Sequence, residues 1–227
     1  MKKIISIILL SLVLNAGEYQ VTKLKNQNSI EYKTFKRKFT MNKALKLGIL
    51  DKYIKNTGAS KRSAVIDFKN VYKNEHWKKA MYELYANQKE YQLDTGKKVR
   101  KFKFPDLKKI LKELSKTVEQ IHNPIAAWQG LDIVTNNYMN TGPSEIAKIY
   151  TRIFSKELMD RKYCVGYLYY GRSFMKEFGR PNYKTAYKTF KKGKEECINK
   201  NIPWFYYHGI RSYKVKSSTM LDLTKGK

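Results

Sequence analysis

The sequence contains two cysteines, and they can form a disulfide only if the fold brings them together. Cys164 lies near the predicted start of one helix, and Cys197 lies near the predicted end of the next. Because consecutive antiparallel helices bring those two ends together, we expect a disulfide between them, with two free buried thiols as the alternative. A bridge across a loop of this length stabilises a fold by about 3–4 kcal/mol in the chain-entropy model.

The sequence offers little for metal binding or catalysis. Its three histidines, His76, His122 and His208, lie far apart without His-x-x-x-His or Cys-x-x-Cys spacing, so we expect no metal site. Ser173 and Lys176 have a Ser-x-x-Lys spacing, in which the lysine can act as base for a nucleophilic serine. With 12 Ser and 39 Lys in the chain, about two such pairs arise by chance. No Lys-Thr-Gly accompanies the pair, so we predict a protein that is not an enzyme, with no catalytic residue and no cofactor.

Aromatic residues crowd the last third of the chain beyond what a helical core needs. Four tyrosines lie between positions 163 and 170, and residues 204–208 are five consecutive large side chains. One helix face cannot bury five consecutive side chains, so some of them must reach the surface. Aromatic residues and arginine carry much of the binding energy at protein interfaces. We therefore predict a partner-binding site, with core packing as the alternative, formed by Tyr167, Tyr170, Trp204, Tyr207 and Arg211.

The N-terminus has the pattern of a secretion signal. Met1-Lys2-Lys3 is followed by an 11-residue aliphatic run from Ile4 to Leu14 and then by Ala16-Gly17. The aliphatic run is too short to span a bilayer as a mature helix. We predict a signal peptide cleaved after residue 16, with an uncleaved anchor as the alternative. No other stretch approaches 18 apolar residues, so we expect no transmembrane segment in the mature chain and a periplasmic or secreted location.

The charge balance admits two interpretations. The chain carries 47 Lys and Arg against 19 Asp and Glu, a net charge of +28. Such a surplus attracts anionic polymers, envelope surfaces or DNA. Only 8 of the basic residues are Arg, however, and nucleic-acid recognition relies on the bidentate arginine fork, which disfavours nucleic acid as the partner. The alternative is compositional drift, in which the surplus acts mainly on solubility.

Hydrophobic periodicity predicts an all-α protein of about nine helices with no convincing strand. Residues 17–40 show no sustained period and are predicted as an extended or loosely ordered lead-in. Residues 41–216 form the helical domain, beginning with one helix over 41–54 and interrupted by a basic loop at 96–105. Residues 217–227 are predicted as a flexible polar tail.

Glycine recurs at a spacing typical of stacked helix hairpins. Gly130, Gly166 and Gly209 each lie inside an apolar or aromatic helical stretch, at intervals of 36 and 43 residues. A glycine inside a helix costs roughly 1 kcal/mol relative to alanine, so its recurrence indicates places where neighbouring helices approach closely. This spacing predicts an α-solenoid of about four helix hairpins.

The best hairpin resembles the Sel1-like repeat family, relatives of the tetratricopeptide repeats. Residues 165–169 (Val-Gly-Tyr-Leu-Tyr) match the first-helix pattern Leu-Gly-x-x-Tyr, and residues 179–193 match the loop and second helix. Weaker echoes occur at 47–50 and 129–131. The resemblance implies a tetratricopeptide-like solenoid whose concave face binds proteins or peptides. Exported members of the cysteine-rich type pair cysteines within a hairpin, and some have been linked to β-lactam binding.

Three functions follow in order of preference. The first is an exported helical-repeat scaffold that mediates protein–protein interaction in the cell envelope. The second is a Lys-rich binder of an anionic envelope polymer or DNA. The third is a hydrolase that acts on β-lactams or peptidoglycan, which the resemblance alone brings into consideration.

Overall fold

The structure, a computed structural model, describes residues 31–85, 89–92, 98–101, 106–137, 144–201 and 203–225. The chain divides into two compact units, Met1–Thr40 and Met41–Lys227. In the first unit, residues 31–38 are helical, although the sequence predicted an extended or loosely ordered lead-in there. The predicted signal peptide, residues 1–16, lies outside the described residues.

The described part of the second unit is all-α apart from one small ribbon, and the all-α prediction is confirmed. Its described part contains ten α-helices, one 3-10 turn at Lys176–Phe178 and two short strands. The helices are α1 (Met41–Leu45), α2 (Ile49–Thr57), α3 (Lys61–Lys73), α4 (Glu75–Tyr85), α5 (Leu107–Ile121), α6 (Pro124–Asn137), α7 (Glu145–Asp160), α8 (Cys164–Arg172), α9 (Tyr183–Glu196) and α10 (Trp204–Lys225).

The ribbon lies between α4 and α5. Strands β1 (Lys89–Gln92) and β2 (Lys98–Lys101) pair antiparallel, with Lys89 opposite Lys101. The sequence predicted only a basic loop over 96–105. Four residues per strand are too few for alternation to stand out from background, which is why periodicity missed the pair.

Two helix boundaries also differ from the prediction. The helix expected over 41–54 breaks at Gly48, whose φ of 69° ends α1 and starts α2. Gly58, with φ 71°, ends α2 in the left-handed conformation that glycine readily adopts at a helix C-terminus. The expected flexible tail from residue 217 is instead helical to Lys225, and Ser217 is fully buried.

The helices pack mainly on their neighbours along the chain. Each helix from α4 to α10 contacts the next one, and α8 also contacts α10 while α5 contacts α7. The first helices of successive pairs are α4, α6, α8 and α10, and the second helices are α5, α7 and α9. The short helices α2 and α3 lie across this series, because α2 contacts both α6 and α8 and α3 contacts α6.

Aromatic side chains fix α2 onto the series. Tyr53 of α2 is fully buried and meets the ring of Trp128 edge-on at 6.4 Å. Its hydroxyl donates a 3.1 Å hydrogen bond to the Tyr163 hydroxyl, just before α8. At the end of α2, the Asn199 amide donates to the Gly58 carbonyl. The N-terminal part of the unit is thereby bound to segments more than a hundred residues later in the chain.

Close helix approach explains one of the recurrent glycines directly. A Cβ added to Gly166 on α8 would lie 2.6 Å from the carbonyl carbon of Leu158 and within contact of the Met159 backbone. At Gly209 on α10, the nearest atoms would instead be the Leu168 methyl groups, at 3.0 and 3.1 Å. A side-chain methyl can rotate away from such a contact, whereas the backbone of α7 cannot.

We therefore expect Gly166→Ala to destabilise the protein and Gly209→Ala to leave it nearly unchanged. Forcing a methyl against backbone costs about 1–3 kcal/mol, less the propensity gain of roughly 1 kcal/mol from alanine in a helix. Urea denaturation followed by circular dichroism measures both variants. Equal stability of the two would show that the backbones of α7 and α8 do not approach closely at Gly166.

Candidate functional site

A disulfide closes the hairpin of α8 and α9. Cys164 is the first residue of α8, Cys197 directly follows α9, and the two are bonded with their Cα atoms 4.9 Å apart. Beside the disulfide, the Ile198 amide donates a 2.8 Å hydrogen bond to the Lys162 carbonyl, and Tyr163 and Ile198 form an isolated bridge. These contacts hold the start of α8 against the end of α9, which is the arrangement expected for two antiparallel helices.

The Ser-x-x-Lys pair is not arranged for nucleophilic attack. Ser173 is 1% exposed, and its hydroxyl donates a 2.7 Å hydrogen bond to the Tyr170 carbonyl. Arg152 of α7 donates to the Ser173 hydroxyl at 3.2 Å and to its carbonyl at 3.1 Å. Lys176 is exposed to solvent. Ser173 therefore attaches the end of α8 to α7.

Two of the three histidines, His76 and His122, connect helices. His76 Nδ1 lies 2.6 Å from a Glu113 carboxylate oxygen, which joins α4 to α5. His122 Nδ1 lies 3.2 Å from Glu157, which joins the end of α5 to α7. Within the described residues, no group of three or more His, Cys, Asp or Glu side chains is placed to hold a metal ion.

The structure divides the predicted partner-binding residues into three groups. Tyr167 is 1% exposed and belongs to the core, which corrects its assignment to the binding surface. Its ring lies against α9 at Gly193, where an added Cβ would meet the Tyr167 Cβ at 2.6 Å. Its hydroxyl donates to Glu196 at 3.2 Å. Burial and the neighbouring Glu196 carboxylate raise the pKa of Tyr167 to about 12.

Tyr170 lies apart from the α10 residues. Its ring meets Phe174 edge-on at 5.3 Å, and the Arg152 guanidinium of α7 lies 4.0 Å from the Phe174 ring centroid. Tyr170 is half-buried in this contact with α7. The sequence had placed it in the same site as Trp204 because helix spacing does not reveal toward which neighbour a side chain points.

The remaining three residues share one face of α10. Trp204, Tyr207 and Arg211 are spaced by three and four residues, so they lie along one side of the helix. Trp204 is 66% exposed, and its ring lies against that of His208, tilted by 30° with centroids 4.2 Å apart. Tyr207 is half-buried beneath the Lys200 ammonium, at 5.5 Å, and Arg211 is exposed.

Helix α10 carries large apolar side chains on two opposite sides. Its inner side carries the buried residues Tyr206, Ile210 and Ser217, which face α8 and α9. Its outer side exposes large apolar side chains to solvent along the whole helix: Trp204 (66%), Phe205 (50%), Val215 (68%) and Leu223 (63%). We call these four residues together with Arg211 the outer face of α10. Helix periodicity would have separated the two sides had the helix been predicted to continue beyond residue 216.

A second feature is the carboxylate of Asp132 on α6. The carboxylate of Asp132 on α6 acts on tyrosines of three other helices, Tyr85 of α4, Tyr169 of α8 and Tyr206 of α10. Burial is the main cause that raises the pKa of each of these tyrosines, and the negative charge of Asp132 adds to it. Asp132 is itself exposed, and its charge reaches tyrosines on three other helices, which sequence spacing did not reveal.

Comparison with known proteins gave no match to a protein-family model, to a curated protein or to a solved structure. Within the described ranges, no helix combines the length and the hydropathy needed to cross a bilayer.

Proposed function

We propose that this chain is an exported helical-hairpin scaffold that binds a partner protein through the outer face of α10. The observation that carries the proposal is the exposure of Trp204, Phe205, Val215 and Leu223 along one long helix. A helix with apolar residues on two sides needs two partners, and α8 and α9 supply only the inner one.

The composition of this face suits protein recognition. Tryptophan and arginine are the residues most enriched at the energetic centres of protein interfaces, and both are present on the first two turns of α10. Burying a phenylalanine-sized side chain such as Phe205 contributes roughly 1.5–3 kcal/mol. Over its 22 residues, α10 carries four Lys or Arg and one acidic residue, Asp222, so a complementary partner is acidic.

We also propose that the hairpins of this chain are Sel1-like repeats. Consecutive packing of α4 through α10, the hairpin of α8 and α9, and the close approach at Gly166 support a solenoid of Sel1-like hairpins. In a solenoid each repeat is covered by its neighbours, so exposed apolar side chains on the outer side of α10 favour a further element packing there. The disulfide supports export, since such bonds persist in oxidising compartments.

Site-specific photo-crosslinking in cell envelopes tests the proposal. A photoreactive residue at Val215, which is 68% exposed on the outer face, is expected to capture one envelope protein, identified by mass, and the same residue at Ile66 is expected not to capture it. Ile66 is a suitable control because it is 53% exposed on α3, away from α10. Trp204→Ala with Arg211→Ala should lower capture at least about tenfold, since interface centres are worth 2 kcal/mol or more per residue.

The matched control is Arg62→Ala with Ile66→Ala, which removes an exposed arginine and an exposed apolar residue from α3. It should leave capture unchanged. Equal loss in both double variants would contradict binding through α10.

A basic row on α9 supports the second candidate, an anionic polymer. Lys184, Lys188 and Lys191 are exposed and spaced by four and three residues, so they form one positive stripe. If capture proves to depend on envelope polymer, it should fall steeply as salt is raised, and equally in both double variants. Capture that survives higher salt but is lost with Trp204 supports the protein partner.

A further inference from the structure

A cleft opens between α2, α4 and α6, away from the outer face of α10. Its volume is about 180 Å³, and its walls include Lys52 of α2, Tyr85 of α4, and Trp128, Asp132 and Ile133 of α6. Trp128 and the base of the cleft are buried, whereas Tyr85 is 41% exposed at its edge. The cleft therefore combines an aromatic and aliphatic interior with one carboxylate.

Asp132 is held at the cleft without a close cation among the described residues. Its Oδ1 accepts a 3.1 Å hydrogen bond from the Asn136 amide. Burial is the largest influence and raises the pKa of Asp132, while the charge of Lys52 lowers it only in part. Asp132 is nevertheless exposed at the mouth of the cleft, so its partly desolvated carboxylate is accessible to a cation placed there.

On the adjoining helices, aromatic rings already contact a cation of the protein itself, the guanidinium of Arg172. The Arg172 guanidinium lies 5.4 Å from the ring centroid of Tyr169 and 5.2 Å from that of Tyr213. Its Nε also pairs with a Glu177 oxygen at 2.7 Å. Aromatic faces together with one carboxylate therefore hold a resident cation there. Asp132, Tyr85 and Trp128 present the same combination of groups.

We propose that the cleft at Asp132 binds an alkylammonium group, with the ammonium at the carboxylate and the alkyl stem against Trp128 and Ile133. The volume suits an unbranched chain of four or five carbons, and the aliphatic walls favour such a stem over a hydrated inorganic cation. The same chemistry occurs in a lysine side chain of a bound peptide and in a free diamine. Lys52 carries this group on the protein's own chain and competes for Asp132.

Two substitutions with opposite expected effects on amine affinity test the proposal. The full mature chain is titrated with 1,5-diaminopentane and, separately, with Nα-acetyl-lysine-N-methylamide, and binding is followed by the NMR signals of the tryptophan indoles. Asp132→Asn should weaken binding about five- to tenfold by removing the charge, and Lys52→Gln should strengthen it about twofold to fivefold by removing the competing ammonium. Both side chains are exposed, so neither variant should unfold, which thermal melting checks.

The uncharged analogues 1-pentanol and Nα-acetyl-norleucine-N-methylamide serve as controls. They should bind more weakly than the amines and should respond to neither substitution. Tighter binding of the lysine derivative identifies a peptide side chain as the ligand, and tighter binding of the diamine identifies a free amine. Unchanged amine binding in Asp132→Asn, or equal binding of the uncharged analogues, overturns the proposal. The double variant at Trp204 and Arg211 should bind the amines normally. Amine binding in the cleft and partner binding at α10 are therefore tested separately, and either proposal can be wrong without the other.

Discussion

Replacing Trp77 by Ala is expected to lower the free energy of unfolding by about 3–5 kcal/mol. Trp77 of α4 is fully buried and is among the largest fully buried side chains of the described core. Its ring meets Phe68 edge-on at 6.0 Å, and its Nε1 donates a 2.7 Å hydrogen bond to Gln129 on α6. The substitution leaves a cavity where α3, α4 and α6 meet and removes the donor to a buried amide. Urea denaturation of the purified chain measures the loss.

Two further variants separate the causes of that loss. Trp77→Phe keeps most of the packing but removes the donor to Gln129, whose side chain is buried, so we expect a loss of about 1–3 kcal/mol. Trp204→Ala removes a tryptophan that is 66% exposed, so we expect a change within about 0.5 kcal/mol. A similar loss for Trp77→Ala and Trp204→Ala would mean that the inner and outer positions are misassigned.

Loss of the disulfide is expected to lower the free energy of unfolding by about 3–4 kcal/mol, because the bond closes a loop of 33 residues. The bond joins the start of α8 to the end of α9, so without it the hairpin that supports α10 opens more readily. Chemical denaturation of the Cys164→Ser, Cys197→Ser double variant measures the effect, and hydrogen exchange should show the largest gain in α8, α9 and α10.

The reduced wild-type protein is the matched control for that variant. It should unfold at the same denaturant concentration as the double serine variant, since both lack the bond and keep the hairpin. Thiol titration of the denatured, unreduced protein taken from the envelope should find no free cysteine. Two free thiols per chain would show that the bond does not form in the cell.

Caps and hairpins could be predicted from the sequence because their causes are local. Ser60 and Ser144 each stand directly before a helical stretch, and each side-chain oxygen accepts a hydrogen bond from the backbone amide three residues later. The cysteine pairing was also within reach, since two consecutive helices define which of their ends meet. The exposed row of Trp204 and Arg211 followed from the surplus of large side chains, and its binding role stays a prediction.

Tertiary structure alone decided which aromatic residues are buried. Tyr167 and Trp204 were equivalent candidates by residue type, yet Tyr167 packs under α9 and Trp204 points outward from the last helix. Tyr206, two residues after Trp204, is instead buried against Tyr169, at 6.2 Å between ring centroids. A sequence gives the face of a helix on which a residue lies but not which faces neighbouring helices will cover.

The sequence by itself determined the helical class, the caps and the hairpin that the disulfide closes, because periodicity and capping act within a few residues. The break at Gly48 and the cleft at Asp132 were decided only by tertiary structure. Gly48 separates α1 from α2, and α2 then packs across α6 and α8. The cleft joins Lys52, Tyr85 and Asp132, which lie up to 80 positions apart in the chain. Their proximity depends on the order in which the helices stack, and local patterns do not encode that order.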